Sequence, residues 1–247
     1  MLRYISIALA ATALVSVPLA AQTAKTPSDP VFEAKLRATL LAHPEYILEA
    51  VNSMQQRQRD QQLTQQNAKI SPVRPVLFAR EPFGPVIGNP AGKVTAVELL
   101  DYACPFCKRA HTLVDKIASE DKNVRFIIVM RPVLGPESET LARFALAAQM
   151  QGRFAQAHDA LYAKFGDDHQ THATDDNLRE VAQKAGVDFD RAKRDMTSDT
   201  VVKQLAKHQQ IADQMGVSGT PFFVTATTVI PGAPQSEEQL KAAIKGS

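Results

Sequence analysis

Glu98-Leu99-Leu100-Asp101-Tyr102-Ala103-Cys104-Pro105-Phe106-Cys107-Lys108 is the stretch on which the fold turns. It joins the end of an apolar run, Val94–Leu100, to a segment of helical periodicity that continues through Ile117. The run reads as a strand by length and composition, and it leads directly into Cys104. Val124–Met130 is a second run rich in β-branched residues, so the local order is β-α-β. Cys104 then stands at a helix N-terminus, where unpaired backbone N–H groups and the helix dipole favour a thiolate. Cys107 follows one turn in, on the same side and deeper. Pro105 suits the first turn, because the N–H it lacks has no intrahelical partner there.

The chain has 247 residues and only these 2 cysteines. With no other thiol to pair with, they either bind a metal or cycle between dithiol and disulfide. The spacing provides one attacking sulfur, Cys104, and one resolving sulfur, Cys107. Zinc would need two further ligands, His111 and another histidine. His169 and His172 have a metal-like spacing but lie in a polar, loop-like stretch. A structural bridge at this spacing closes a very small loop and stabilises little.

Residues 1–21 read as a secretory signal peptide. Arg3 supplies the positive end, residues 5–17 are an apolar run too short to span a bilayer, and Leu19-Ala20-Ala21 offers small residues for cleavage. The alternative is an uncleaved anchor. The mature chain is expected to be exported into an oxidising compartment, where a cysteine pair meets redox chemistry. The formal charge is +2 and falls by one with Arg3, so no nucleic-acid partner is expected. About 225 residues remain after cleavage, enough for one large domain or one domain and an appendage.

Residues 30–70 form an N-terminal helical region. Val31, Leu36, Leu40 and Leu41 make one apolar stripe; Ile47, Leu48, Val51 and Met54 make another after His43-Pro44. From Gln55 the pattern turns polar, as a solvated spacer helix would. Residues 71–90 carry Pro72, Pro75, Pro82, Pro85 and Pro90 and read as an extended, non-helical linker. Residues 91–247 form a mixed α/β domain. Within it, residues 138–215 are helical, residues 222–226 and 228–230 make a hairpin, and Ser236 with Gln239 opens a last helix as a capping box. His208 lies on a stripe with Val201, Leu205, Ile211 and Met215, which marks a core histidine. The two stripes outside the α/β domain require burial, either by self-association through residues 30–66 or by folding back onto that domain.

The order and spacing of these motifs resemble the DsbA-like branch of the thioredoxin superfamily over residues 88–245. Gly88-Asn89-Pro90 is similar to that family's lead-in to the active-site strand. Gly219-Thr220-Pro221-Phe222-Phe223-Val224 is similar to its cis-proline loop and following strand, and Pro231-Gly232-Ala233 to the turn before its last helix. Residues 32–66 are similar to the N-terminal region of ScsC-like proteins, periplasmic relatives linked to copper stress, some of them trimeric. The resemblance implies an α/β thioredoxin fold with an inserted helical domain, preceded by an N-terminal helical extension. It implies Cys104 as nucleophile, Cys107 as resolving thiol, and Pro221 as a cis-proline packed against the disulfide. Thr220 would offer backbone groups to an extended client chain, although Thr220-Pro221 by itself is also an ordinary turn. Glu98 would be a buried acid that moves a proton to or from Cys107; the alternative is a solvent-exposed carboxylate at the strand edge.

Pro105 and Phe106 are the redox-tuning pair. Strongly oxidising members carry histidine where Phe106 stands, and isomerase-type members often have threonine where Thr220 stands. Lys108 and Arg109 add positive potential or form a solvated face. No cofactor and no metal are expected. The expected partners are unfolded or misfolded exported proteins, a membrane redox partner and further copies of the chain. The function implied is a periplasmic thiol-disulfide oxidoreductase with isomerase or reductase character. Its alternatives are a monomeric dithiol oxidase and a copper- or zinc-binding periplasmic protein that uses the cysteines.

Overall fold

The computed structural model describes residues 29–167 and 171–246. Residues 1–21, read above as a signal peptide, and His169 lie outside the described residues. The chain divides into two compact units, one ending at Gln55 and one beginning at Gln56. Among the described residues no helix is long and apolar enough to cross a membrane.

In the first unit Asp29 caps α1 (Pro30–Ala42), its carboxylate accepting the Val31 N–H at 2.9 Å. Pro30 takes the first turn, where no intrahelical partner is lost. His43 closes α1, and Pro44 leads into α2 (Glu45–Ile70). Val31, Phe32, Leu36, Leu41, Ile47, Leu48 and Met54 are exposed, and α1 has no buried residue. The apolar stripes therefore lie on helices and face outward.

The second unit begins within α2. Its polar run is not solvated to the end: Leu63 and Ile70 pack into a core, and Gln66 Nε2 donates to the Met215 carbonyl at 3.0 Å. Residues 71–90 depart from the extended linker that their prolines suggest. Ser71–Val73 is a turn of 3-10 helix, and α3 (Arg74–Leu77) follows. Pro72 and Pro75 sit at the openings of these turns, where a missing N–H breaks no hydrogen bond. Val73 and Leu77 are buried, and Arg74 Nη1 donates to the Thr225 and Ala226 carbonyls at 2.7 and 2.6 Å. The same stretch supplies an edge strand, β1 (Val86–Gly88).

β2 (Val94–Leu100), α4 (Pro105–Glu120) and β3 (Val124–Met130) make the β-α-β unit read from the sequence. With β4 (Phe222–Val224) and β5 (Val229–Pro231) they complete a five-stranded sheet of order β1-β3-β2-β4-β5. β2 and β3 run parallel, and the other pairings are antiparallel. Side chains alternate across the sheet. Ala96, Leu100, Phe126, Ile128 and Phe223 face a core shared with α4 and the inserted helices. Val97, Leu99, Ile127, Val129 and Val224 face a second core with Ile70, Leu77, Ile211 and Met215.

Between β3 and β4 the chain forms α5 (Pro136–Gln149), α6 (Phe154–Lys164), α7 (Asp175–Ala185), α8 (Phe189–Asp195) and α9 (Asp199–Gln214). Thr174, Asp188 and Ser198 cap α7, α8 and α9 through side-chain oxygens. His208 on α9 is a core residue: its Nδ1 accepts the Met130 N–H at 3.1 Å, and burial lowers its pKa to about 4. Ser236 caps α10 (Glu237–Lys245), its Oγ accepting the Gln239 N–H at 3.2 Å. Gln239 accepts in turn from Gln235 N–H at 2.7 Å, one residue earlier than in a standard capping box.

Candidate active site

β2 ends at Leu100, and Asp101 organises the turn that follows. Its side chain is buried, with Oδ1 accepting the Ala103 N–H at 2.9 Å. Oδ2 accepts the Val133 and Leu134 N–H groups at 2.8 and 3.1 Å, and the Asp101 carbonyl accepts the Cys104 N–H at 3.1 Å. One carboxylate thus ties the cysteine loop to the segment after β3. The sequence reading passed over Asp101; the available signal was an Asp at a strand end, ready for an Asx turn. Gly166 (φ +88°) closes the other side, where an added Cβ would meet the Tyr102 carbonyl at 3.1 Å. Next to it Asp167 pairs with Lys108 at 2.5 Å.

Cys104 is the N-cap residue of α4, extended at φ −89° and ψ 117°, with Pro105 in the first turn. Both thiols are unbridged. Cys104 is 5% exposed and Cys107 0%. The Thr220–Pro221 peptide is cis, and the Thr220 carbonyl lies 3.4 Å from Cys104 Sγ as acceptor for its thiol. The fold therefore brings Cys104, Cys107, Thr220 and Pro221 together from positions 116 residues apart in the case of Cys104 and Thr220.

The two sulfurs are electrostatically unlike. A hydrogen bond from the Cys107 thiol lowers the Cys104 pKa to about 6, helped by the Cys107 and Phe106 backbone N–H groups and the Thr220 hydroxyl, and opposed by burial. Burial pushes the Cys107 thiol well up, and the neighbouring Cys104 sulfur adds to this. One sulfur is a thiolate at neutral pH, and the other keeps its proton until a base takes it.

Glu98 is 1% exposed, and neither carboxylate oxygen has a hydrogen-bond partner among the described residues. Burial, and then the charge of Asp115, raise its pKa to about 8. The register pairs Glu98 with Ile128 and Phe223, which places it on the β2 face that looks toward α4. Ionised, it would raise the Cys107 pKa further, which couples the two groups electrostatically.

Behind Glu98, Tyr102 Oη and His158 Nδ1 lie 2.8 Å apart. Tyr162 packs against Tyr102 at 4.9 Å and is stacked on His111 at 4.8 Å. The sequence reading left Tyr102, His158 and Tyr162 without a role, since they converge only through the packing of α6. His111 directs Nε2 to Asp115 and Asp159 at 3.7 and 3.5 Å. His172 pairs with Glu137. Phe106 is 53% exposed beside the nucleophile, and the Arg109 guanidinium covers its ring at 4.3 Å. Of the two basic residues, one is paired and the other stacked. A cleft lined by Ala103, Leu134, Pro136, Leu141 and Phe165 opens on one side of the loop, and another follows Gly219, Thr220, Pro221 and Gly232.

Residues 95–245 match the model of the DSBA-like thioredoxin domain, and residues 32–61 match that of the copper resistance protein ScsC N-terminal domain. A thioredoxin-like oxidoreductase from Silicibacter pomeroyi is 36% identical and superposes with a TM-score of 0.63, covering 70% of this chain and 96% of that one. Proteus mirabilis ScsC in a transitional conformation is 25% identical with a TM-score of 0.61, covering 89% of this chain and 98% of its own. The Na(+)/H(+) antiporter NhaA 3 of Salinispora tropica is 31% identical over 162 residues, which are 64% of this chain and 24% of that protein. The chain thus spans about a quarter of the length of the first curated relatives it matches.

Proposed function

The chain belongs to the DSBA-like thioredoxin domain family, and from that premise we propose that it is a periplasmic oxidoreductase exchanging disulfides with exported proteins. The observation that carries this reading is the asymmetry of the pair: a thiolate-prone Cys104 at the helix cap beside the Thr220 carbonyl, and a buried, protonated Cys107 behind it. The Cys104 thiolate attacks a client disulfide, forms a mixed disulfide and releases one client thiolate. Cys107 hands its proton to Glu98 in those molecules where Glu98 is ionised, a fraction that grows as pH approaches about 8, and attacks Cys104 Sγ. The second client sulfur leaves as a thiolate, and the enzyme pair is oxidised by the two electrons the client gained. In the opposite direction a client thiolate attacks Cys104, and Cys107 leaves and regains its proton from Glu98. Thr220 and Pro221 line the client chain as it lies extended beside the sulfur. A membrane redox partner resets the pair.

Isomerase or reductase character is favoured by two features. Phe106 offers no side-chain donor to the thiolate. The outward apolar faces of α1 and the start of α2 suit self-association through residues 30–66, which would give clients a shared cleft. A monomeric dithiol oxidase is the second reading, and the Cys104 pKa of about 6 favours it, because a stabilised thiolate makes the disulfide a stronger oxidant. The geometry of His111, turned to Asp115 and Asp159, favours either reading over a metal held by the cysteines and that histidine. The deciding experiment is titration of the Cys104–Cys107 pair against glutathione, with molar mass by light scattering on the same sample. A moderate potential and an oligomeric mass support the isomerase reading. A strongly oxidising potential and a monomeric mass replace it with the oxidase.

A further inference from the structure

We propose that His111, Asp115 and Asp159 form a binding site for a divalent transition-metal cation, distinct from the cysteine pair, that clamps α4 to α6. His111 and Asp115 are one turn apart on α4 and share a face, and Asp159 reaches the same place from α6. One donor atom from each lies within 4.8 Å of the others. Nε2 stands 3.7 Å from the Asp115 Oδ2 and 3.5 Å from the Asp159 Oδ1. Both distances are too long for hydrogen bonds. The 3.5 Å separation matches the spacing of neighbouring donors around an ion, about 3.0–3.5 Å when the bonds are about 2.1 Å long, and the 3.7 Å separation closes to it with a small movement of the exposed Asp115. The two carboxylates are 45% and 58% exposed, so they are free to close onto an ion, while the imidazole is 12% exposed and held in place.

A second buried imidazole packs against this trio. His158 is wholly buried, its ring stands edge to face with His111 at 4.7 Å, and its Nε2 has no hydrogen-bond partner among the described residues. His111 Nδ1 is likewise buried and without one. The unpartnered atoms are His158 Nε2 and His111 Nδ1, while the two acids face the other His111 nitrogen, Nε2, which is the one open to an ion. One imidazole and two carboxylates suit zinc, cobalt, nickel or manganese rather than a thiol-seeking ion. α4 carries both cysteines, and α6 belongs to the inserted helical block. An ion here therefore pins that block to the cysteine-bearing helix.

The test uses the full mature chain carrying Cys104→Ser and Cys107→Ser, so that sulfur ligands are absent and disulfide exchange plays no part. The protein is dialysed against zinc chloride and bound zinc is counted; melting is followed with and without zinc, and cobalt(II) serves as a coloured substitute. We expect one zinc per chain, a Tm that rises with zinc concentration, and cobalt bands without thiolate charge transfer. Asp159→Asn and His111→Ala should each weaken binding about a hundredfold. If zinc is not retained, or is retained equally by both variants, the proposal is wrong. Should His111→Ala not fold, Asp159→Asn decides alone, since its side chain is the more exposed and the change conserves shape.

Discussion

Glu98→Gln is the substitution that best separates a buried neutral acid from an ionised one. In the folded protein Glu98 keeps its proton up to about pH 8, against an ordinary value of 4.5, because its carboxylate would be buried with no donor. A carboxyl whose folded value is raised leaves the fold unaffected below the unfolded value, where both states hold the proton. Between 4.5 and 8 the unfolded chain has released the proton and the folded chain has not, so stability falls as pH rises. The fall is ~1.4 kcal/mol per pH unit, about 5 kcal/mol over the whole window. Glutamine has the same shape and no proton to lose. The stability of Glu98→Gln minus that of the parent should therefore climb by about 4 kcal/mol between pH 5 and pH 8. Cys104 and His208 titrate in or near this range in both proteins, so their contributions cancel in the difference. The assay is urea denaturation of the reduced proteins at pH 5, 6.5 and 8, followed by far-ultraviolet circular dichroism. A difference independent of pH would mean that Glu98 is already ionised in the folded state at pH 5, and the buried-acid account would fail.

Three further outcomes are expected. Alkylation of reduced Cys104 should follow a titration midpoint near 6, and Cys107→Ala should move that midpoint up toward the usual thiol range by removing the largest stabilising hydrogen bond; an unmoved midpoint would place the cause elsewhere. Tyr102→Phe leaves His158 Nδ1 buried without its partner, and thermal unfolding should show a loss of about 1–3 kcal/mol. Asp101→Ala removes the acceptor of three backbone N–H groups; a loss of at least about 3 kcal/mol is expected in urea unfolding, and a neutral result would show that the cysteine loop holds its shape without that carboxylate.

Local chemistry was legible wherever one segment carried its own instructions. Val94–Leu100 and Val124–Met130 were readable as strands because seven-residue apolar runs have few other uses. Ser236 and Gln239 announced the last helix through its cap, and the stripe through His208 placed that ring in the core before any neighbour was known. That Cys104 and Cys107 have no other cysteine to pair with followed from counting. The prolines of residues 71–90 misled because their effect depends on position within a turn: Pro72 and Pro75 open short helices, and β1 is too short to leave a pattern.

By itself, then, the sequence determined the β-α-β core, the helix caps and the place of the two cysteines at the start of a helix, all properties of residues close together in the chain. Only the tertiary structure decided that Glu98 is buried, because that rests on β3 and β4 flanking β2. The same holds for Asp101, whose acceptor oxygens are used by N–H groups 32 and 33 residues away. It holds also for the ring cluster of Tyr102, His111, His158 and Tyr162, which exists because α6 packs beside α4. Burial and proton affinity depend on what the distant chain brings alongside a group, and a local stretch of sequence does not contain that neighbour.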